Sequence, residues 1–366
     1  MKINRVIISG GGTGGHVFPA IAIANRIKFE FPEADILFIG AEGKMEMTKV
    51  PEAGYKIEGL WISGLQRRLT TKNLTLPFKL LSSLLKARKI IKRFKPDVVI
   101  GVGGYASAPT LKIASMLKIP TIVQEQNSYP GKTNKILSKT VTKICVAYEN
   151  LERFFPAHKI ELTGNPVRKK VVEIEGLREK GFEFFKLDAN KKTVLVVGGS
   201  LGAKTLNESF VNKLKQLQDK DVQLIWQCGS YQFEEMKALT SDLDMKGVVL
   251  TEFITEMELA YAAADVIISR AGAIAISELC IIGKPIILVP SPNVAEDHQT
   301  KNAMALVTDE AAIFISDAEA REKLVSRVLE LLDDAKEQKK LSDNILKKAI
   351  ANADERIVNV VKSIMK

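Results

Sequence analysis

Short β-branched runs alternate with helix-length segments from the start of this chain, and about halfway along the alternation stops and begins again. RVIIS (Arg5–Ser9), DILFIG (35–40), DVVIG (97–101) and PTIVQ (120–124) make the first series; TVLVV (Thr193–Val197), VQLIWQ (222–227), DVIIS (265–269) and PIILV (285–289) make the second. Runs of this length, closed by glycine or polar residues and spaced by a helix, form parallel sheets covered by helices. The restart therefore predicts two doubly wound α/β domains, and 366 residues are enough for two cores.

The turn after the first strand of each series is rich in glycine: SGGGTGGHVFPA (9–20) and GGSLGAKTLN (198–207). Between the series, TGNPVRKKV (163–171) interrupts regular structure with Gly164, Asn165 and Pro166 and predicts the hinge. The expected division is residues 1–163, residues 164–345, and a closing helix over 346–366 that packs back on the first domain.

Composition excludes several classes. Three cysteines with no close pair, and no Cys/His cluster, argue against a disulfide framework or a zinc site. The opening apolar run reaches Gly10 too soon for a signal peptide, and no stretch offers 18 uncharged apolar residues, so the expectation is a cytosolic chain that does not span a membrane. The net charge of +10 is concentrated: from Gly59 to Pro96 there is no acidic residue but there are ten basic ones.

Glycine turns that open helices bring backbone N–H groups up to an anion, which predicts phosphate at both loops. Neither continues into Gly-Lys-Ser/Thr, so a P-loop NTPase is disfavoured. His16 ends the first loop, where open α/β sheets bind ligands, and is one of only three histidines. After later strands come GVGGYASAP (101–109), with Tyr105, and QEQNSYPGKTNK (124–135), with Glu125, Gln126, Asn127, Thr133 and Asn134. These polar groups predict a surface that reads a polyhydroxylated ligand. In the second half, SRAGAIAISE (269–278) again opens a helix from a small-residue turn, and Glu278 lies two turns along it, within reach of a ribose.

These motifs, with EQNSYPGKTNK (125–135), GNPVR (164–168), GGSLGA (198–203), EFITEM (252–257) and HQTKNA (298–303), resemble in order the MurG family of GT-B-type inverting glycosyltransferases. The chain departs from the family pattern at Ala106, Ala108 and His298, positions that concern pocket shape. The resemblance implies two Rossmann-like domains facing a central cleft. It implies transfer of N-acetylglucosamine from UDP to the 4-hydroxyl of MurNAc on undecaprenyl-pyrophosphoryl-MurNAc-pentapeptide (lipid I), giving lipid II. It further implies that Thr13, Gly14, Gly15 and Asn127 face the donor sugar, that Arg168 and Ser200 touch its diphosphate, and that Ile254 touches uracil. Ala273, Ile274, Ala275, Ile276, Ser277 and Glu278 would form the phosphate turn and ribose clamp, and Gln299 would read a sugar hydroxyl. The acceptor's pyrophosphate is expected near the first glycine loop.

Displacement at an anomeric carbon needs a base near the incoming hydroxyl; His16 is the first candidate and Glu125 the second. Positive groups on the leaving diphosphate take the place a metal fills elsewhere, and with no Asp-x-Asp run expected between donor and sheet, no cofactor or bound metal is expected. A lipid-linked acceptor gives the basic segment a role: Leu74 to Lys95 interleaves leucines with cations, as for peripheral binding to the anionic cytoplasmic face of a membrane. Nucleic acid is not expected, because the segment lacks interleaved Tyr, Trp or His for stacking. A UDP-N-acetylglucosamine epimerase or another GT-B transferase is the alternative reading.

Overall fold

A computed structural model describes residues 2–64 and 75–365. The chain divides into two compact units, Met1–Val167 with Ala351–Lys366, and Arg168–Ile350. The crossings at 167/168 and 350/351 lie four or five residues beyond the divisions expected from the sequence. Leu74 and the basic residues Arg67, Arg68 and Lys72 lie outside the described residues.

The first unit carries seven parallel strands: β1 (Arg5–Ser9), β2 (Asp35–Ala41), β3 (Lys56–Leu60), β4 (Val98–Gly101), β5 (Thr121–Glu125), β6 (Lys143–Val146) and β7 (Ile160–Leu162), in the order β3-β2-β1-β4-β5-β6-β7. The second carries six: β8 (Thr193–Val197), β9 (Gln223–Gln227), β10 (Val248–Thr251), β11 (Val266–Ser269), β12 (Ile286–Leu288) and β13 (Ile313–Phe314), in the order β10-β9-β8-β11-β12-β13. Both sheets reverse direction of winding beside their first strand, between β1 and β4 and between β8 and β11. The carboxyl end of that gap is where such folds bind ligands.

Strand period two decides what each residue packs against. Val6 and Ile8 of β1 face the Gly14–Glu30 helix, through Ala20, Ile23 and Ile27, and the closing Ala353–Ile364 helix, through Ile357, Val358 and Val361. Ile7 faces the other way, toward Ala87, Ile90 and Ile91 of the Leu76–Phe94 helix. In the second unit Val194, Val196 and Trp226 pack with Leu206 and Phe210 and with Leu324 and Val328 of the Asp317–Asp333 helix. One device recurs in both units. Asp97, before β4, accepts the N–H groups of Asn4 and Arg5, and Asp265, before β11, accepts that of Thr193. Each carboxylate thereby pins the start of the first strand to that of the strand beside it. Among the described residues no helix is long and apolar enough to cross a membrane.

Candidate functional site

At the first switch point the turn after β1 meets the turn after β4. Gly11 N–H donates to Gly103 O, and a Cβ on Gly104 would stand 2.4 Å from Gly11 O, so glycine is required for the two loops to touch. Gly10 N–H is directed to Ile39 O and Gly12 N–H to Glu46 Oε2 at 2.8 Å. The glycines thus brace one another, and the inner amides are committed. What remains for an anion is the first turn of the Gly14–Glu30 helix, which opens at Gly14 and Gly15 after Thr13.

His16 stands on that turn. Its Nδ1 lies 3.0 Å from Gly11 O and 3.4 Å from Thr13 Oγ1. A carbonyl oxygen only accepts, so Nδ1 carries the proton and Nε2 carries the lone pair. The Nε2 edge passes Gly103, where a Cβ would come within 2.7 Å of it. Desolvation among these loops lowers the imidazole pKa below the ordinary histidine range, opposed by the Gly11 hydrogen bond and by the fields of Glu125 and Glu46.

Glu125, at the end of β5, is a different case. Its Oε1 accepts the backbone and side-chain N–H groups of Asn127, at 3.0 and 3.1 Å, and its Oε2 accepts those of Gly131 and Asn134, at 3.1 and 2.8 Å. The buried carboxylate is saturated by four donors, which fits it for holding the 127–134 loop in shape and leaves no lone pair aimed at a substrate. Gln126 is buried too, its amide donating to Val102 O. Of the polar cluster expected to read sugar hydroxyls, Glu125, Gln126 and Asn134 are therefore internal, and Asn127 stays partly open. Tyr105 is half-exposed, its ring lying against Gly64, where a Cβ would come within 2.0 Å of Cζ.

At the second switch point the loop after β8 is held to that after β9: Ser200 O accepts both the N–H and the hydroxyl of Ser230, leaving the Ser200 residue exposed at the turn. Gln227 spans two loops, donating to Gly199 O and accepting Ile254 N–H. Ile254 is thus buried with its N–H committed.

After β11 the Ala273–Ile282 helix begins behind Gly272. Its first intrahelical bond runs from Ile276 N–H to Gly272 O, so the amides of Ala273, Ile274 and Ala275 lie ahead of the ladder and face outward along the helix axis. Ile276, also expected at this turn, has its amide bonded to Gly272 O and its side chain buried. Ser277 directs its hydroxyl to Ala273 O. Gln299 is engaged at one end by backbone donors. Its Oε1 accepts Ser291 N–H at 2.8 Å and Ala271 N–H at 3.2 Å, tying two loops, so only its NH₂ end is left for a ligand.

Glu278 is buried on the same helix, with Tyr261 donating its hydroxyl to Oε2 and Arg168 Nη2 standing 3.7 Å from Oε1. Burial pushes its pKa up, with Arg168 opposing. Arg168 itself is largely exposed.

Residues 6–146 match the model of the glycosyltransferase family 28 N-terminal domain, and residues 193–357 match that of the family 28 C-terminal domain. The chain belongs to glycosyltransferase family 28. Curated relatives match it over nearly their whole length. One from Flavobacterium psychrophilum is 54% identical, spanning 99% of this chain and 98% of that protein. One from Cytophaga hutchinsonii is 55% identical, spanning 100% and 98%. Both are named UDP-N-acetylglucosamine–N-acetylmuramyl-(pentapeptide) pyrophosphoryl-undecaprenol N-acetylglucosamine transferase. Among solved structures, Acinetobacter baumannii MurG superposes with a TM-score of 0.80 at 29% identity, covering 99% of this chain and all of that one. A Neisseria meningitidis UDP-GlcNAc 2-epimerase bound to UDP-GlcNAc has a TM-score of 0.67 at 14% identity, covering 99% and 100%, and shares the fold alone. The two Rossmann-like units are those of a GT-B glycosyltransferase.

One buried functional group had no signal in the sequence. Glu46 sits in GAEGKMEMT, between other charged residues, and reads there as a surface carboxylate; only the fold carries it under the first glycine loop.

Proposed function

We propose that this chain transfers N-acetylglucosamine from UDP-N-acetylglucosamine to the 4-hydroxyl of MurNAc in undecaprenyl-pyrophosphoryl-MurNAc-pentapeptide, with inversion, as a step of peptidoglycan synthesis. The observation that carries the reading is identity above one half with transferases of that name over nearly the full length of both chains, which brings both switch-point sites along together.

In this reading the first unit takes the acceptor and the second the nucleotide. The 4-hydroxyl oxygen bonds to the anomeric carbon as the bond from that carbon to the β-phosphate oxygen breaks. The electron pair leaves with UDP, and the hydroxyl proton passes to Nε2 of His16. His16 is preferred to Glu125 because its lone pair is free of the Gly11 hydrogen bond, whereas the Glu125 oxygens are all engaged. Charge building on the diphosphate is met by the Ala273, Ile274 and Ala275 amides and by Arg168. Ser200 offers a further contact, Glu278 accepts from the ribose, and Thr13, Gly14, Gly15, Asn127 and the NH₂ of Gln299 border the sugars.

The lipid-linked acceptor brings the protein to a membrane surface. Phe78, Leu81 and Leu85 follow i, i+3, i+7 spacing on the Leu76–Phe94 helix and are 70, 57 and 61% exposed, while Ser83, Ala87, Ile90 and Ile91 form its buried stripe. An apolar face turned to solvent beside the exposed Arg88 and Lys89, with Lys79 nearby but hydrogen-bonded to Ser63, fits peripheral attachment to an anionic cytoplasmic leaflet. Lys86 and Arg93 contribute less than their sequence position implies, because they pair with Glu42 and Glu58.

The deciding experiment supplies radiolabelled UDP-N-acetylglucosamine with and without a short-chain lipid I analogue. Label should enter the lipid product only when the acceptor is present. Conversion of the donor alone would point to an epimerase instead.

A further inference from the structure

The first glycine loop is built around a carboxylate. Glu46 opens the Glu46–Glu52 helix and is only 1% exposed. Its Oε1 accepts Ala41 N–H at 2.9 Å, and its Oε2 accepts Gly12 N–H at 2.8 Å. The space it fills is made by missing side chains: a Cβ on Gly11 would stand 2.1 Å from Glu46 Cδ, and one on Gly40 would stand 2.5 Å from its Cγ. A buried carboxylate is costly unless it is hydrogen-bonded, and these glycines give it the room to be so.

The N–H that Glu46 holds and the C=O that His16 holds belong to one peptide unit. Gly12 N–H and Gly11 C=O are the two ends of the planar amide joining Gly11 to Gly12, and in a trans peptide they point in opposite directions. The carboxylate therefore pulls on one end of a rigid plate whose other end fixes the imidazole. Accepting the N–H also polarises the amide, so that its oxygen becomes a stronger acceptor for Nδ1–H. A carboxylate acting directly on a histidine does two jobs, choosing the tautomer and holding the ring. Here both are passed through a peptide.

We propose that Glu46 is a positioning residue for the transfer reaction, acting on His16 through the Gly11–Gly12 peptide to keep the proton on Nδ1 and the lone pair on Nε2. The proposal rests on the reading of His16 as the base. The charged groups facing His16 are Glu46, from beneath its loop, and Glu125, from the end of β5. Removing the charge of Glu46 leaves Glu125 alone to favour the imidazolium.

The test is Glu46→Gln, which keeps volume and one accepting oxygen but turns an NH₂ toward one of the two N–H groups. With three histidines in the chain, ¹⁵N-histidine labelling resolves the His16 ring directly, and His16→Ala assigns it. Wild-type protein should show Nδ1–H, and Glu46→Gln a mixture of tautomers. Turnover on the lipid I analogue should fall by roughly 10- to 100-fold, the scale of a misplaced reacting group, with the KM for UDP-N-acetylglucosamine unchanged. The acid limb of the kcat/KM profile should move to lower pH. Glu46→Asp keeps the charge but shortens the reach; it should lie between the two, and it stands in if Glu46→Gln does not fold. A variant that melts at lower temperature yet keeps the wild-type tautomer, kcat and acid limb would make Glu46 part of the scaffold only and overturn the proposal. Undiminished turnover in His16→Ala would remove the base instead, an outcome distinguishable because the tautomer of the Glu46 variants is read without catalysis.

Discussion

Arg168 Nη2 stands 3.7 Å from Oε1 of Glu278, an exposed cation drawn beside a carboxylate that is almost wholly buried. Burial raises the Glu278 pKa, so between the ordinary carboxylate pKa and the folded value the native state binds a proton that the unfolded chain has released. Stability from this group is therefore present below the ordinary carboxylate pKa and is lost as pH rises through the interval up to the folded value. Glu278→Gln, neutral at every pH, should melt higher than wild type at pH 7, and the difference should shrink toward pH 4. The same change should weaken UDP-sugar binding by roughly tenfold, the worth of about one charge-assisted hydrogen bond. Calorimetry of both quantities checks the pair; equal affinity would remove Glu278 from the ribose.

His16 gives the opposite sign. Its pKa is held below 6.5 chiefly by desolvation, so the neutral imidazole that a base requires persists into mildly acidic solution. The acid limb of kcat/KM should fall below the ordinary histidine range. Stability contributed by the buried neutral ring should be lost as pH drops through the interval from 6.5 down to the folded value. His16→Ala should reduce turnover by roughly 10²- to 10⁴-fold with donor affinity intact. Equilibrium binding of UDP-N-acetylglucosamine to the variant separates the two effects.

Which parts of the molecule were legible in the sequence follows from where each signal is encoded. β1, β8 and the strands beside them are continuous apolar runs, because both their faces are covered, and so they declare themselves locally. β3 (KIEGL), with charge and glycine inside it, and β13, two residues long, carry no local pattern; they are strands only because a neighbour supplies the ladder. The site residues divide in the same way. His16 and the helix that opens at Ala273 stand out through rare residues and small-residue turns. Glu125 and Gln299 look like ligand readers in one dimension, yet the donors that occupy them come from loops whose proximity only the fold creates. Gly11, in a loop that reads as a phosphate cradle, and Gly104 let two loops touch.

Glu125 offers a test between shaping a loop and abstracting a proton. If its four donors define its role, Glu125→Gln sets an NH₂ against N–H groups and should lower stability by about 1–3 kcal/mol in urea unfolding, with activity falling alongside. A base replaced by its amide would keep its stability and lose only kcat. Normal unfolding with abolished turnover would therefore return Glu125 to the chemistry.

The apolar face of the Leu76–Phe94 helix can be separated from its charges. Each cation near an anionic leaflet is worth about 1 kcal/mol, so replacing Lys79, Arg88 and Lys89 together with Gln should cut vesicle partitioning by on the order of 100-fold at low salt. Lys86→Gln should do less, since its ammonium is shared with Glu42 at 3.0 Å. Phe78, Leu81 and Leu85 changed to Ser should weaken binding at every salt concentration, because apolar insertion is not screened. Both variants should keep full turnover on a soluble short-chain acceptor, since the buried stripe of the helix is untouched. Flotation of the variants with phosphatidylglycerol vesicles, at low and high salt, reads the two contributions separately. Undiminished flotation of both would move the membrane contact to another face of the protein.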